Sequence, residues 1–395
     1  MTDVITRMGL RRMLPRDSDA PHRAATPLEL LFDLVFVVAV SQASQNLHHM
    51  IAEEHVGPAI VGYLMVFFSI WWAWMNFSWF ASAFDTDDWL YRVTTIVQMA
   101  GVLVLAAGVH DAMVDQDFTT VTWGYVIMRL AMVAQWLRAA ASDPSSRATT
   151  LRFAVGITGV QVLWVARMYL LDDQWQFWTF FLLVAAELLV PVWGETHGRT
   201  SWHAEHIAER YGLFTLLLLG ESLLASANAI IDAVAEGEHV TELLWLAASG
   251  IVLAAGMWWV YFARDQADGL TSSRAGFTFG YLHYVIFAAA GAVSAGVEVQ
   301  IDVLTDHTHV SQTVAGLSLS LPVAFFVLGV WLVALRPRIS RASTVGVLAG
   351  AVLIGLCGLL PAASFVVTAV VLAGVVVVLE RDAVVTGRAR ALPAM

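Results

Sequence analysis

A carboxylate in the middle of a long apolar run is costly to bury, so each one found there is a candidate for chemistry. Glu29 and Asp33 stand one helical turn apart in the run that opens Pro27-Leu28-Glu29-Leu30-Leu31-Phe32-Asp33. The i,i+4 spacing carries their face on through Val37, Ser41 and Gln45, with Ser44 beside it, to His48. A polar ribbon along a whole helix must face protein or water. Glu221 lies deep in a second run, with Asn228 and Asp232 on its face and Ser222 and Ser226 alongside. Arg129 and Glu187 occupy the middle of two more. An arginine at such depth needs a carboxylate, a backbone carbonyl or a water-filled cavity. The acids on offer are Asp33, Glu187 and Glu221, and Arg129 is either half of a structural ion pair or a gate or anion-coordinating group facing one of them. Together, Glu29, Asp33, Ser41, Gln45, Arg129, Glu187, Glu221 and Asn228 are the expected lining of a path for a small ion or solute. Glu29 has a second reading, because proline opens helices and an early acid complements the helix dipole.

A different chemistry is conceivable at Glu195 to Arg210, where His203, His206 and Glu209 recur every three residues. Imidazole with carboxylate suits zinc, iron or manganese, and also pH sensing, although such a polar stretch is more often merely solvated. No GxSxG, Walker A, HExxH or paired-cysteine pattern occurs, so an enzymatic reading is weak. The one cysteine, Cys357, excludes an intramolecular disulfide. No cofactor is indicated.

The elements that must position these groups are membrane helices. Hydrophobic residues make up 58% of the chain and charged residues 13%, with a mean hydropathy of +0.70, far more apolar surface than a soluble domain of this length requires. About twelve apolar runs of spanning length follow one another, centred on 29–50, 57–80, 89–112, 119–140, 147–170, 175–194, 211–232, 240–263, 276–299, 311–335, 341–360 and 361–380. The second six echo the first. Leu31 to Asn46 aligns with Leu213 to Asn228, Ala107-Gly108-Val109 with Ala295-Gly296-Val297, and Ser146-Arg147-Ala148-Thr149-Thr150 with Ser340-Arg341-Ala342-Ser343-Thr344. An even number of spans per copy gives both copies the same orientation, as in parallel-repeat transporters. The fold expected is thus an all-α polytopic integral membrane protein, about 12 transmembrane helices as two tandem six-helix repeats. Its parts are a tail 1–28, repeats 29–194 and 211–381, a joint 195–210 and a tail 382–395.

Every basic residue is arginine. Arg11, Arg12, Arg16, Arg138, Arg147, Arg152, Arg199, Arg210, Arg264, Arg274, Arg336, Arg338 and Arg341 fall at alternate connections, and only Arg129 and Arg167 do not fit that side. Glu53, Glu54, Asp115, Asp117, Asp172, Asp173, Glu236, Glu238, Asp302 and Asp306 fall at the others. The positive-inside rule then puts both termini in the cytoplasm. The polar start of the chain has no apolar core or cleavage site of a signal peptide. The Trp71-Trp72 and Trp258-Trp259 pairs are expected in the interfacial aromatic belt. Expected partners are membrane lipids, a small ion or solute, and a second copy of the chain. The net charge of −11 resides mainly in the acidic connections and gives no sign of nucleic acid.

Leu28-Glu29-Leu30-Leu31-Phe32-Asp33-Leu34-Val35-Phe36-Val37-Val38-Ala39 resembles the signature of the bacterial low temperature requirement A (LtrA) proteins. So do His206-Ile207-Ala208-Glu209-Arg210-Tyr211-Gly212-Leu213-Phe214 with Leu219-Gly220-Glu221-Ser222, and Trp71-Trp72-Ala73-Trp74 followed by Asp85, Asp87, Asp88 and Arg92. The resemblance spans nearly the whole chain. It implies a multi-pass protein of the bacterial cytoplasmic membrane, with a name that points to growth in the cold. A membrane enzyme or a cold- or stress-response factor is therefore the alternative to transport. The first-helix motif is also similar to the Phe-Ser-Asp-Gly signature of the endolysosomal potassium/proton channels, which have two six-span repeats with the first helix of each lining the pore. Here Phe32 precedes Asp33 and Leu34 stands at the glycine place, so selectivity does not carry over.

Overall fold

The computed structural model describes residues 9–18, 20, 24–236, 239–361 and 363–387. Glu238, residues 1–8, 19 and 21–23 of the first expected tail and 388–395 of the last lie outside these, as do the side chains of Asp173, Asp232 and Glu236. The described residues form thirteen α-helices and no strand. In chain order these are α1 (Pro27–Ala52), α2 (Val56–Phe84), α3 (Trp89–Ala107), the short α4 (Val109–Val114), α5 (Thr119–Ser142), α6 (Arg147–Leu170) and α7 (Asp173–Gly194). There follow α8 (Ala204–Glu236), α9 (Val240–Tyr261), α10 (Ser273–Leu304), α11 (Gln312–Val330), α12 (Arg341–Cys357) and α13 (Ser364–Val385).

A helix thus stands at each apolar run, and ten are both long and apolar enough to cross a bilayer. The chain is a multi-pass membrane protein. The two runs outside the ten have physical reasons. Helix α5 carries Arg129 and Arg138, and α12 spans only 17 residues. Side chains stop or start several helices: Asp88, Ser272, Ser311 and Ser340 accept from the backbone N–H three residues on, capping α3, α10, α11 and α12.

The helices gather into two compact units. One holds residues up to Ala39 and Ser69–Arg210; the other holds Val40–Phe68 and everything from Tyr211. The division falls within α1, α2 and α8, each of which changes packing partners along its length, so these units differ in outline from the expected repeats.

Within the first unit the chief contacts run α3 to α5, α5 to α6 and α6 to α7. Within the second they run α10 to α11, α11 to α12 and α12 to α13, the same order of neighbours. Glycine sets the closeness of the first contact in each series. A Cβ on Gly124 would lie 2.4 Å from the backbone nitrogen of Leu105, and one on Gly296 would lie 2.5 Å from the carbonyl oxygen of Ser318. Helices meeting backbone to backbone through small residues gain dispersion contacts that lipid cannot supply.

The segment before α1 is also fixed. Arg11 N–H donates to Asp88 at 2.8 Å, Arg16 N–H to the Ala83 carbonyl at 2.9 Å, and the Arg138 guanidinium grips the Asp88 carboxylate. Burial opposes ionisation of Asp88, but the Arg138 hydrogen bond and the backbone donors of Arg11 and Tyr91 outweigh it, and its pKa falls below the ordinary carboxylate range.

Gly124→Ala and Gly296→Ala should each lower the melting temperature of purified protein, by the equivalent of roughly 1–3 kcal/mol for an overpacked contact. Gly159→Ala, with open space around it, should leave the melting temperature unchanged. Equal melting of all three variants would show that backbone contact is not what holds these helices.

Candidate functional site

Two buried charge clusters lie in the first unit. One is built on the start of α1. Thr26 and Glu29 cap that helix reciprocally: the Glu29 carboxylate accepts from Thr26 N–H at 2.7 Å, and the Thr26 hydroxyl from Glu29 N–H at 3.3 Å. The other oxygen of Glu29 lies 3.2 Å from His206 Nε2 and 3.2 Å from Arg210 Nη1. Arg210 Nη2 donates to Asp33 and, at 3.3 Å, to the Ser78 hydroxyl, while Trp74 Nε1 donates to Asp33 at 2.7 Å. All four ionisable groups are at most 1% exposed. Glu29 and Asp33 on α1, and His206 and Arg210 on α8, are each four residues apart, so two helical faces match pair to pair. With His206 protonated the set is neutral; with it deprotonated the set carries one negative charge.

The second cluster surrounds Glu187 on α7, fully buried. Arg129 Nη2 donates to it at 2.9 Å, Trp72 Nε1 at 3.0 Å, Tyr125 OH at 2.9 Å and Gln161 Nε2 at 2.9 Å. Four donors fill the acceptor capacity of one carboxylate. Arg129 is therefore the partner of Glu187, not of Asp33 or Glu221. Trp71 and Trp72, expected at an interface, are at most 2% exposed, because Trp72 is needed as a donor at this depth. Trp259, its counterpart in the second unit, donates to Glu380 at 2.6 Å.

The second unit holds polar groups that are not sealed. Ser41 and Glu298 both lie within electrostatic reach of Glu221. His48 sits between Glu298 at 3.2 Å and Asp302 at 2.6 Å, and those two carboxylates keep 27% and 23% of their side-chain surface exposed. Ser41 and Glu221 are half-buried, while Gln45 and Asn228 are exposed. Glu298 and Asp302, both on α10, join a set that the α1 and α8 periodicities alone could not reach.

His203, His206 and Glu209 do not converge. His203 precedes α8 and its Nε2 lies 2.8 Å from the carbonyl oxygen of Ala20; His206 faces Glu29; Glu209 is half-buried. Among the described residues no group of three or more His, Cys, Asp or Glu side chains is placed to hold a metal ion. The three-residue period fails because the helix that would put these side chains on one face begins at Ala204. The sequence alone does not mark Arg210 as a site residue, because it adjoins a polar connection, where arginine normally marks a membrane flank.

Comparison with known proteins matches residues 24–379 to the family described as bacterial low temperature requirement A protein, LtrA. The chain belongs to the LtrA family. It is also similar to the uncharacterized protein RA0937 of Rhizobium meliloti (strain 1021), 26% identical over 307 residues that cover 70% of this chain and 71% of that protein. The family match takes in both buried clusters of this LtrA protein and its half-open polar set.

Arg129→Met should destabilise the protein by roughly 3–5 kcal/mol, since it strands a buried carboxylate. Adding Glu187→Gln removes the stranded charge and should restore more than half of the lost melting temperature. A double variant no more stable than Arg129→Met would contradict the pairing.

Proposed function

We propose that this LtrA protein is a membrane transport protein that moves a small ion or solute along a path lined by α1 and α8, the first helix of each of two tandem six-helix repeats, 29–194 and 211–381. All twelve longer helices, α5 and α12 included, then cross the bacterial cytoplasmic membrane, with both termini on the cytoplasmic side. Supporting the repeat are the matching order of helix neighbours in the two units and the two Trp–Glu contacts. Supporting the orientation is the alternation of arginine and acid along the connections.

The observation that carries the transport reading is the half-open set Ser41, Gln45, Glu221 and Glu298 within long apolar helices, with Asp302 at the end of α10. Ionisable groups left partly exposed at such positions cannot face hydrocarbon at low cost; a water-filled path removes that cost. Three acids beside one histidine favour a cation or a proton. The sealed cluster of Glu29, Asp33, His206 and Arg210 on the same two helices acts as a closed gate, which opens only when those pairs separate. Glu187, which accepts from Arg129, Trp72, Tyr125 and Gln161, serves with Arg129 as scaffold. The family's name favours a role in cold or stress response, which transport of an ion or solute would serve; an enzyme or a factor without transport remains the alternative reading.

Flux of K⁺, Na⁺, H⁺ and Cl⁻ into liposomes holding purified protein tests this. Selective cation flux is expected, reduced at least tenfold by Glu221→Gln and altered in its pH dependence by Asp33→Asn. Folded protein that passes none of the four ions would overturn ion transport.

A further inference from the structure

The C-terminal ends of α1 and α10 are tied together, within the second unit, by a histidine set between two acids. His48 Nδ1 lies 3.2 Å from a Glu298 carboxylate oxygen, and its Nε2 lies 2.6 Å from one of Asp302. Glu298 and Asp302 are four residues apart, so one turn of α10 presents both to the ring. Just beyond them, the Thr308 hydroxyl donates to the Ala52 carbonyl at 2.6 Å.

This geometry calls for a proton. A neutral imidazole has one N–H and one lone pair. Both ring nitrogens of His48 face carboxylate oxygens, so a neutral ring between two ionised acids would set a lone pair against a negative charge. Two acids four residues apart on one helix face also repel each other. One added proton removes both conflicts, whether it rests on the ring or on an acid, because the three groups titrate as a set. A metal ion does not serve: bound by both atoms, it would hold His48 and Asp302 further apart than 2.6 Å.

The surroundings add to the pull on that proton. Glu221 on α8 lies within electrostatic reach of Glu298. The His49 ring is 4.8 Å from that of His48, but His49 is exposed. Glu53, Glu54 and His55 after α1, and Asp306, His307 and His309 after α10, are exposed as well, where water and salt screen them. His48, Glu298 and Asp302 all keep part of their side-chain surface open. The proton therefore comes from water and returns to it, and no other reactant is needed.

We propose that His48, Glu298 and Asp302 form a binding site for a single proton, which joins α1 to α10 while bound and is the ion loaded at this end of the path. The loading role rests on the transport reading; the proton site itself does not.

The site is tested by the melting temperature of the purified full chain in detergent, followed from pH 5 to pH 10. A proton held more tightly by the folded chain than by the unfolded one stabilises the fold while bound, and that gain is lost as pH rises. A fall of several degrees with the steepness of one proton is expected, and His48→Gln should remove at least half of it. A wild-type profile without the fall, the result for a neutral ring that donates once to Asp302, overturns the site. So does a fall undiminished in His48→Gln. If that variant does not fold, Glu298→Gln decides: it should move the fall toward acid by about one pH unit or more, and an unmoved fall overturns the site instead. The loading role is tested by flux into liposomes that enclose a pH dye. Proton entry is expected, reduced roughly tenfold or more by His48→Gln. Passage of another cation without proton movement overturns the loading role and leaves the transport reading standing. Passage of no ion overturns that reading and the loading role with it, and the melting profile then decides the proton site alone.

Discussion

The constraint on which the rest of this structure depends is that an ionised group carried into hydrocarbon must be compensated where it lies. The first unit meets it by closure. Glu187 is surrounded by four donors, and Glu29 and Asp33 share Arg210 with His206 and Trp74 in attendance. The second unit meets it differently, leaving Glu221, Glu298 and Asp302 partly uncovered. The same helix, α1, supplies acids to the sealed set and Ser41, Gln45 and His48 to the open one. One sequence periodicity therefore serves two electrical environments, and the change between them falls at the middle of the helix.

The two units share an order of helix neighbours but differ in their buried charges. In the first unit Trp72 on α2 donates to Glu187 on α7, and in the second Trp259 on α9 donates to Glu380 on α13. Arg129 on α5 joins the first of these contacts, whereas α11 carries Pro322 and no basic residue. Close glycine contacts recur at Gly124 and Gly296, so the scaffold is held chiefly by backbone proximity and the charges are free to specialise.

The helices were legible from the sequence because the length of an apolar run is itself the physical requirement for crossing a bilayer. The buried acids were legible for the converse reason, as interruptions of those runs. Partners across the bundle were not. Arg210 read as a flanking cation, although the spacing of Glu29 with Asp33 and of His206 with Arg210 held the clue to their match. Trp71 and Trp72 read as interfacial aromatics, since sequence does not reveal that a carboxylate on another helix awaits the Trp72 indole. The supposed metal set assumed a helix through His203, where the chain is not yet helical. The division within α1, α2 and α8 was invisible because a continuous helix gives no local sign that its packing partners change.

The central claim is that α1 passes from a sealed charge cluster to a water-accessible polar face. Reaction with a membrane-impermeant, water-soluble thiol reagent measures this directly, using Asp33→Cys, Gln45→Cys and Glu221→Cys in a Cys357→Ser background. Rapid labelling of the Gln45 and Glu221 variants, with Asp33→Cys labelling at least tenfold more slowly, is the expected result. Unreactive thiols at Gln45 and Glu221, or a thiol at Asp33 that reacts as fast as theirs, would contradict the account.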